Sequence, residues 1–344
     1  VQKLRNAFRL LRVMLWWNHI IAPLAGVFYG LLLLGQPQEE FPWLPLGCFL
    51  LSVIGTASLG YWINDWTDRE QDQRVGKSNA TIGFSRTQMW GILFLFFLIA
   101  TLPWYFLPRH FLSFGLWIML VVALIMYSVP PFRFKEKSIL GAICDVAYGH
   151  LLPVWITIGT FAPLLEVRMT AAATLSWGLS LVFFTKGLRN IIQHQLADRK
   201  KDQQLRLNTF VRWLGPYRSA IFISVCLLPL ELLLLGMVLF IFHPGVFFIF
   251  SLFILTYGLR IWSWKFYRAR SIRRIFRLWF VLNDYYEATF PLSILIFLIF
   301  RSPLFLLLLM LHLLIFPKTL DHWKWVWKTW INLELWRELR KYIL

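Results

Sequence analysis

Asn64, Asp68 and Asp72 recur every four residues, so on a helix they share one face, with Asp65 beside them. They belong to the stretch Asn64-Asp65-Trp66-Thr67-Asp68-Arg69-Glu70-Gln71-Asp72, and a second pair, Asp198 and Asp202, repeats the four-residue step in Asp198-Arg199-Lys200-Lys201-Asp202. Like charges this close repel unless cations lie between them. Oxygen-rich clusters of this kind suit magnesium, which commonly sits between a few carboxylates and substrate phosphates. Both groups follow long apolar runs, and ionisable residues at membrane depth point to a functional site because charge is costly in hydrocarbon. Two such clusters read as a device for holding a diphosphate at a membrane.

The elements that position these acids must be membrane helices. The 344 residues are 58% hydrophobic, with 32 Phe and 19 Trp, and the mean hydropathy is +0.61. Apolar runs recur at about 13–34, 44–63, 87–107, 110–129, 139–160, 170–190, 215–242, 244–264 and 278–300. Most are near the roughly 20 residues that span a bilayer, and unbroken runs containing Gly and Pro favour helices over barrel strands. The expected fold is all-α: a polytopic bundle of nine transmembrane helices around a central cavity. The N-terminal basic stretch followed by an apolar run reads as the first membrane helix, since that run is too long for a signal peptide and no small-residue cleavage site follows. Residues 1–317 form one membrane domain and 318–344 a basic, Trp-rich amphipathic tail of the interfacial kind, preceded by 304–316, which is too short to span comfortably.

A net charge of +18 raises the question of nucleic acid, and its distribution answers against it. With the N-terminus in the cytoplasm, the N-terminal segment carries Lys3, Arg5, Arg9 and Arg12, and the second-to-third connection Arg69, Arg74, Lys77 and Arg86. The fourth-to-fifth carries Arg133, Lys135 and Lys137, the sixth-to-seventh eight basic residues between Lys186 and Arg218, and the eighth-to-ninth seven between Arg260 and Arg277. The opposite connections hold only Arg109 and Arg168, with Glu39, Glu40 and Glu166. That is the positive-inside pattern, and it puts both acid clusters on the cytoplasmic side. Cys48, Cys144 and Cys226 lie inside apolar runs without metal-type spacing and read as small buried hydrophobes.

The acid stretch 64–72, the stretch Tyr127-Ser128-Val129-Pro130-Pro131-Phe132-Arg133-Phe134-Lys135 and the pair at 198–202, in this order and on one side, resemble the signatures of the UbiA superfamily of intramembrane prenyltransferases over about residues 10–300. The resemblance implies a magnesium-dependent enzyme that transfers a polyprenyl group from its diphosphate to an acceptor, most often aromatic. By resemblance Asn64, Asp68 and Asp72 serve one magnesium and Asp198 and Asp202 the other, with Asp65 in support. Arg69, Arg133 and Lys135 clamp the diphosphate, Tyr127 and Ser128 lie near the acceptor, and Asp68, Asp198 and Lys135 are central to catalysis. The polar connections 66–86 and 199–214 would cap the site, and Tyr61, Trp62, Trp66 and Tyr127 could face a carbocation.

The chain departs from the family pattern at Lys77-Ser78-Asn79-Ala80-Thr81, where an Arg-Pro pair is frequent, at His194, and after Asp202. Non-aromatic acceptors (a sugar phosphate, a glycerol lipid, a carotenoid) and terpene cyclisation stay open, as does a cation-coupled transporter, although a carrier has no need of two acid clusters plus Lys135. Membrane lipids are the surroundings, the cell (inner) membrane the expected location. Asp145, Tyr148 and His150 in the fifth run, the series Lys186, Asn190 and His194 in the sixth, and Asn283-Asp284-Tyr285-Tyr286-Glu287 carry no assigned role.

Overall fold

In the computed structural model of the chain, residues 12–36, 40–108, 111–205, 207–267 and 282–331 are described. Lys3, Arg5, Arg9, Arg109, the basic residues 268–277 and the tail beyond 331 lie outside them. The apolar runs fold as helices α1 (Trp17–Leu34), α2 (Trp43–Arg74), α3 (Arg86–Tyr105), α4 (Phe111–Ser128), α5 (Ser138–Leu164) and α6 (Met169–Gln204). There follow a short α7 (Phe210–Leu214), then α8 (Pro216–Phe242), α9 (Pro244–Tyr267), α10 (Phe290–Arg301), α11 (Phe305–Ile315) and α12 (Pro317–Ile331). The fold is all-α, and among the described residues the one strand-like pairing joins Lys137 and Ser138 to Asn208 and Thr209.

Seven helices, α1 to α6 and α8, are long and apolar enough to cross a membrane among the described residues, against the nine expected. The expected eighth span coincides with α9, whose apolar part, Pro244–Gly258, is shorter. The ninth begins in residues outside those described and continues into α10. The segment 304–316, too short to cross on its own, folds as α11 and meets the start of α12 at a bend of 87°, which makes the pair a broken span or a re-entrant loop.

Two helices outrun the bilayer. α2 has 32 residues and α6 has 36, about 48 and 54 Å at 1.5 Å per residue, where the hydrocarbon needs about 30 Å. Their last turns, rich in Asp, Glu, Gln, Lys and Arg, keep the helix going because nothing in them breaks it. α2 stops at Arg74, two residues before Gly76, which takes a φ of +64°. The connection to α3 ends in a capping box, in which the Gln88 amide donates to Ser85 Oγ (3.3 Å) and the Ser85 amide to Gln88 Oε1 (2.9 Å).

Among the described residues four π-helical turns interrupt the bundle: Trp17–Ile21, Ala147–Leu151, Phe222–Leu227 and Tyr285–Thr289. Each is followed within a few residues by a proline, Pro23, Pro153, Pro229 or Pro291. A proline has no amide to give the carbonyl four residues back, so the carbonyls of His19, Gly149, Val225 and Glu287 lose their α-helical donors and the ladder slips by one. The core joins Phe28, Phe49, Phe161, Leu179, Val182, Leu239, Tyr285 and Ile294. α2 and α3 touch at Gly55, where a Cβ would lie 2.3 Å from the Ala100 nitrogen, and Ser52 Oγ donates to the Ala100 carbonyl at 2.7 Å. Phe111, Phe94, Phe248 and Leu112 are exposed, as a lipid-facing surface requires. Cys226 is exposed there too, against expectation, while Cys144 is buried.

Candidate active site

At the far end of α2, Asn64 and Asp68 lie one turn apart and share one lysine. Lys135 Nζ donates to Asn64 Oδ1 (3.0 Å) and to Asp68 Oδ1 (2.6 Å). Ser128 Oγ, at the end of α4, donates to the same Asn64 oxygen at 3.2 Å. Arg133 Nη2 adds a second cation to Asp68 at 2.9 Å and reaches Gln71 Oε1 at 2.8 Å, while its Nε pairs with Glu136. Arg133 takes a left-handed backbone, φ +39°, at a cost of about 1–3 kcal/mol for such a residue. The guanidinium contacts, most of them charge-assisted, hold it there. Burial pushes the Lys135 ammonium below the usual lysine value, and Asp68 opposes that shift. The connection between α4 and α5 is therefore a basic arm laid across the acid face of α2.

Asp65 and Asp72 also fasten the chain that follows α2. Asp65 Oδ2 accepts from the Ala80 amide (3.0 Å) and pairs with Arg12 Nη2 (2.8 Å), which also donates to the Ser78 carbonyl (3.0 Å). Asn79 Nδ2 donates to the Asp65 carbonyl (2.7 Å) and to Asp72 Oδ2 (2.8 Å). These contacts fold residues 77–81 back over the end of α2. Arg69 does not join the clamp: its guanidinium points to the Phe84 carbonyl (3.4 Å) and Met89 Sδ (3.6 Å), on the α3 side.

The second acid pair lies at the same end of the bundle. Lys77, just past α2, is close enough to Asp202 for its charge to act on that carboxylate, and the backbone pairing of 137–138 with 208–209 ties the basic arm to the connection after α6. Asp202 is buried, whereas the Asp198 side chain is 47% exposed, with Lys201 Nζ 4.0 Å from its Oδ1. Tyr127 packs against Tyr148, with ring centroids 5.1 Å apart, and Tyr148 donates to Asp145 Oδ1 at 2.7 Å.

The structure thus brings Asn64, Asp68, Ser128, Arg133 and Lys135 into direct contact and sets Asp198 and Asp202 nearby. It ties Asp65 and one oxygen of Asp72 to residues 78–80 and points Arg69 toward α3. Reading the sequence alone left out Arg12, Gln71 and Asn79, whose roles arise only from tertiary contact. It also left out a fully buried pair, Arg189 Nε with Glu231 Oε2 (2.6 Å) and Nη2 with Glu231 Oε1 (2.9 Å), joined by Asn283 Oδ1 (2.9 Å). The period of α6 carried a signal for it, since Arg189 falls on a face otherwise buried.

Among the described residues no group of three or more His, Cys, Asp or Glu side chains is placed to hold a metal ion unaided. Magnesium does not ask for that: it takes one or two carboxylates and completes its shell with waters and substrate phosphates. Hard oxygen donors on two facing helix ends, with cations interleaved, fit a magnesium–diphosphate complex.

The bundle of apolar helices thus gathers its acid and basic residues at one end. The model of the UbiA prenyltransferase family matches residues 23–284, and the chain belongs to that family; it is an integral multi-pass membrane protein. It is 26% identical over 208 residues to 4-hydroxybenzoate octaprenyltransferase of Pseudoalteromonas atlantica, a match covering 57% of this chain and 65% of that relative's length. Its fold is similar to that of a UbiA homolog from Archaeoglobus fulgidus bound to DMAPP and Mg2+ (TM-score 0.58, 17% identity, 83% of this chain and 98% of that one). The apo structure of a UbiA homolog from Aeropyrum pernix is similar as well (TM-score 0.57, 15% identity, 80% and 94%).

Proposed function

We propose that this chain catalyses the magnesium-dependent transfer of a polyprenyl group from its diphosphate to an aromatic acceptor within the membrane. The observation that carries this reading is the sharing of Lys135 by Asn64 and Asp68, with Asp198 and Asp202 at the same end of the bundle. Heterolysis of the allylic C–O bond leaves a carbocation and a diphosphate anion. The acceptor ring then attacks C1 of the cation and releases a proton. Magnesium, when bound, neutralises the diphosphate charge as it departs. Asn64, Asp68 and Asp72 on one helix and Asp198 and Asp202 on the other would hold it, Asp65 supporting from behind. Lys135 and Arg133 supply further positive charge for the phosphate oxygens, with Ser128 and Tyr127 bordering the acceptor. The half-exposed Asp198 is the candidate to take up the proton. The folded-back residues 77–81 keep water from the cation. The relative named 4-hydroxybenzoate octaprenyltransferase supports an aromatic acceptor, and the homolog bound to DMAPP and Mg2+ supports the donor and the ion. The positive-inside pattern supports a cytoplasmic-facing site in the cell (inner) membrane, and α9 with α10 completes nine spans.

The test is diphosphate release by the purified protein in lipid nanodiscs, with a panel of polyprenyl diphosphates and aromatic acceptors. Release that requires magnesium, disappears with EDTA and rises with one acceptor is the expected result. Donor binding without release under every condition, or release indifferent to magnesium, would overturn it. Release that no acceptor stimulates would turn the reading to cyclisation.

A further inference from the structure

Three of the four π turns meet around one residue. Lys186, on α6, is 3% exposed, and its ammonium lies 5.1 Å from the centroids of both the Phe183 and Tyr286 rings. Tyr286 belongs to the π turn Tyr285–Thr289. From the π turn Ala147–Leu151, His150 packs against the next residue of α6, so closely that a Cβ on Gly187 would lie 2.5 Å from the imidazole. From the π turn Trp17–Ile21, His19 pairs with Glu287 of the third.

Within this knot of polar groups Lys186 alone lacks a counter-ion. Among the described residues it makes no hydrogen bond and no ion pair, only the two ring contacts. The carboxylates whose charge reaches it are Glu287 and Glu231, and both are taken. Glu231 receives both arms of Arg189, and Glu287 holds His19 and Lys318, the latter at 2.5 Å. A buried ammonium without an anion is costly, and two aromatic faces offset only part of that cost. The arrangement is complete once an anion arrives from outside the chain.

The geometry points to Lys186 as the subsite for a carboxylate carried by the aromatic acceptor, an inference that rests on the function proposed above. Lys186, Asn190, His194 and Asp198 succeed one another at steps of four along α6, so Lys186 lies twelve residues, about 18 Å of helix rise, below Asp198. A diphosphate held at the Asp198 end directs its allylic carbon inward along this helix. An acceptor anchored by its anionic end at Lys186 extends outward to meet that carbon. The Phe183 and Tyr286 rings that flank the ammonium suit a flat aromatic acid, and a metal cation is excluded by the lysine's own charge. Lys186 thereby sets acceptor specificity and takes no part in breaking the donor bond.

The experiment measures equilibrium binding of 4-hydroxybenzoate and of its uncharged analogue 4-hydroxybenzamide to nanodisc-embedded protein, for the unchanged chain, Lys186→Met and Lys186→Arg. The unchanged chain should prefer the carboxylate by roughly tenfold or more, the scale of one hydrogen bond to a charged group. Lys186→Met should erase the preference and Lys186→Arg retain it. In turnover Lys186→Met should raise KM for the carboxylate acceptor with kcat little changed, while magnesium-dependent donor binding, which reports a folded protein, stays as it was. Equal binding of the two probes by the unchanged chain, or a preference that survives Lys186→Met, overturns the inference. Failure of the function itself looks different: donor bound and no transfer to either probe, with the binding comparison still readable.

Discussion

The acids at the end of α2 and those at the end of α6 share a four-residue step and one end of the bundle, yet they are in opposite states. On α2 all three aspartates are engaged: Asp68 by Lys135 and Arg133, Asp65 by Arg12 and the Ala80 amide, Asp72 by Asn79. On α6 Asp198 stands half in the open, with one distant lysine. The α2 half is preassembled by its own cations, whereas on the α6 half Asp198 stays open and Asp202 is buried. A site organised like this binds a polyanion without first having to arrange both walls, which lowers the ordering cost of binding.

Substitution can break the contrast or sharpen it. The largest effects belong to Asp68→Asn and Asp198→Asn, each expected to lower diphosphate release by about 10²–10³-fold in kcat, the range for losing one preorganised electrostatic contact. Both variants should still accumulate in the membrane, and full activity in either would remove that acid from the reaction. Lys135→Met comes next. Two contacts are lost at once, and release should fall by roughly 10–100-fold, with weaker donor binding measured by titration. Were α2 and α6 interchangeable, Lys201→Met would do the same; with Lys201 half-exposed and 4.0 Å from Asp198, it should change release little.

Arg12→Met tests the structural side of α2. It leaves the Asp65 carboxylate with only the Ala80 amide, a loss of about 1–3 kcal/mol for a buried acceptor. The readout is a lower temperature of unfolding in detergent and faster proteolysis between 75 and 85. The smallest effect is expected from Arg69→Ala, within about 0.5 kcal/mol in release and stability, because that side chain faces α3. A large drop there would return Arg69 to the diphosphate.

Much of this was readable before any coordinates. The acid steps, the apolar runs and the alternation of basic connections give the membrane bundle and the end at which its chemistry gathers. Periodicity alone sets Arg69 about 100° round the helix from Asp68, enough to suspect that it faces elsewhere. The prolines at 23, 153, 229 and 291 announce the four π turns through the amides they lack. Arg12, Asn79 and the Arg189–Glu231 pair could not be read, because each joins residues brought together only by tertiary packing: 53 positions separate Arg12 from Asp65, and Arg189 reaches Glu231 42 positions away. Span counting agrees with the structure at α1 to α6 and α8; it stays open at α9, whose apolar part is shorter, at the ninth run, which begins outside the described residues, and where a bend separates α11 from α12.

The contact between the two ends of the bundle bears on how the chain is made. His19 lies in the first helix, and its carboxylate partner Glu287 is shared with Lys318 of α12. Trp17 donates to the Ile315 carbonyl at 3.0 Å, and Tyr29 meets His312 at 3.2 Å. A chain emerging from the ribosome inserts its first helix long before these partners exist. His19 of α1 therefore meets its carboxylate only after 268 further residues have been translated, whereas Phe28 of the same helix finds Phe161 of α5, with ring centroids 4.7 Å apart, much earlier. The last helices thus add the final polar contacts to a first helix that α5 already holds through Phe28 and Phe161.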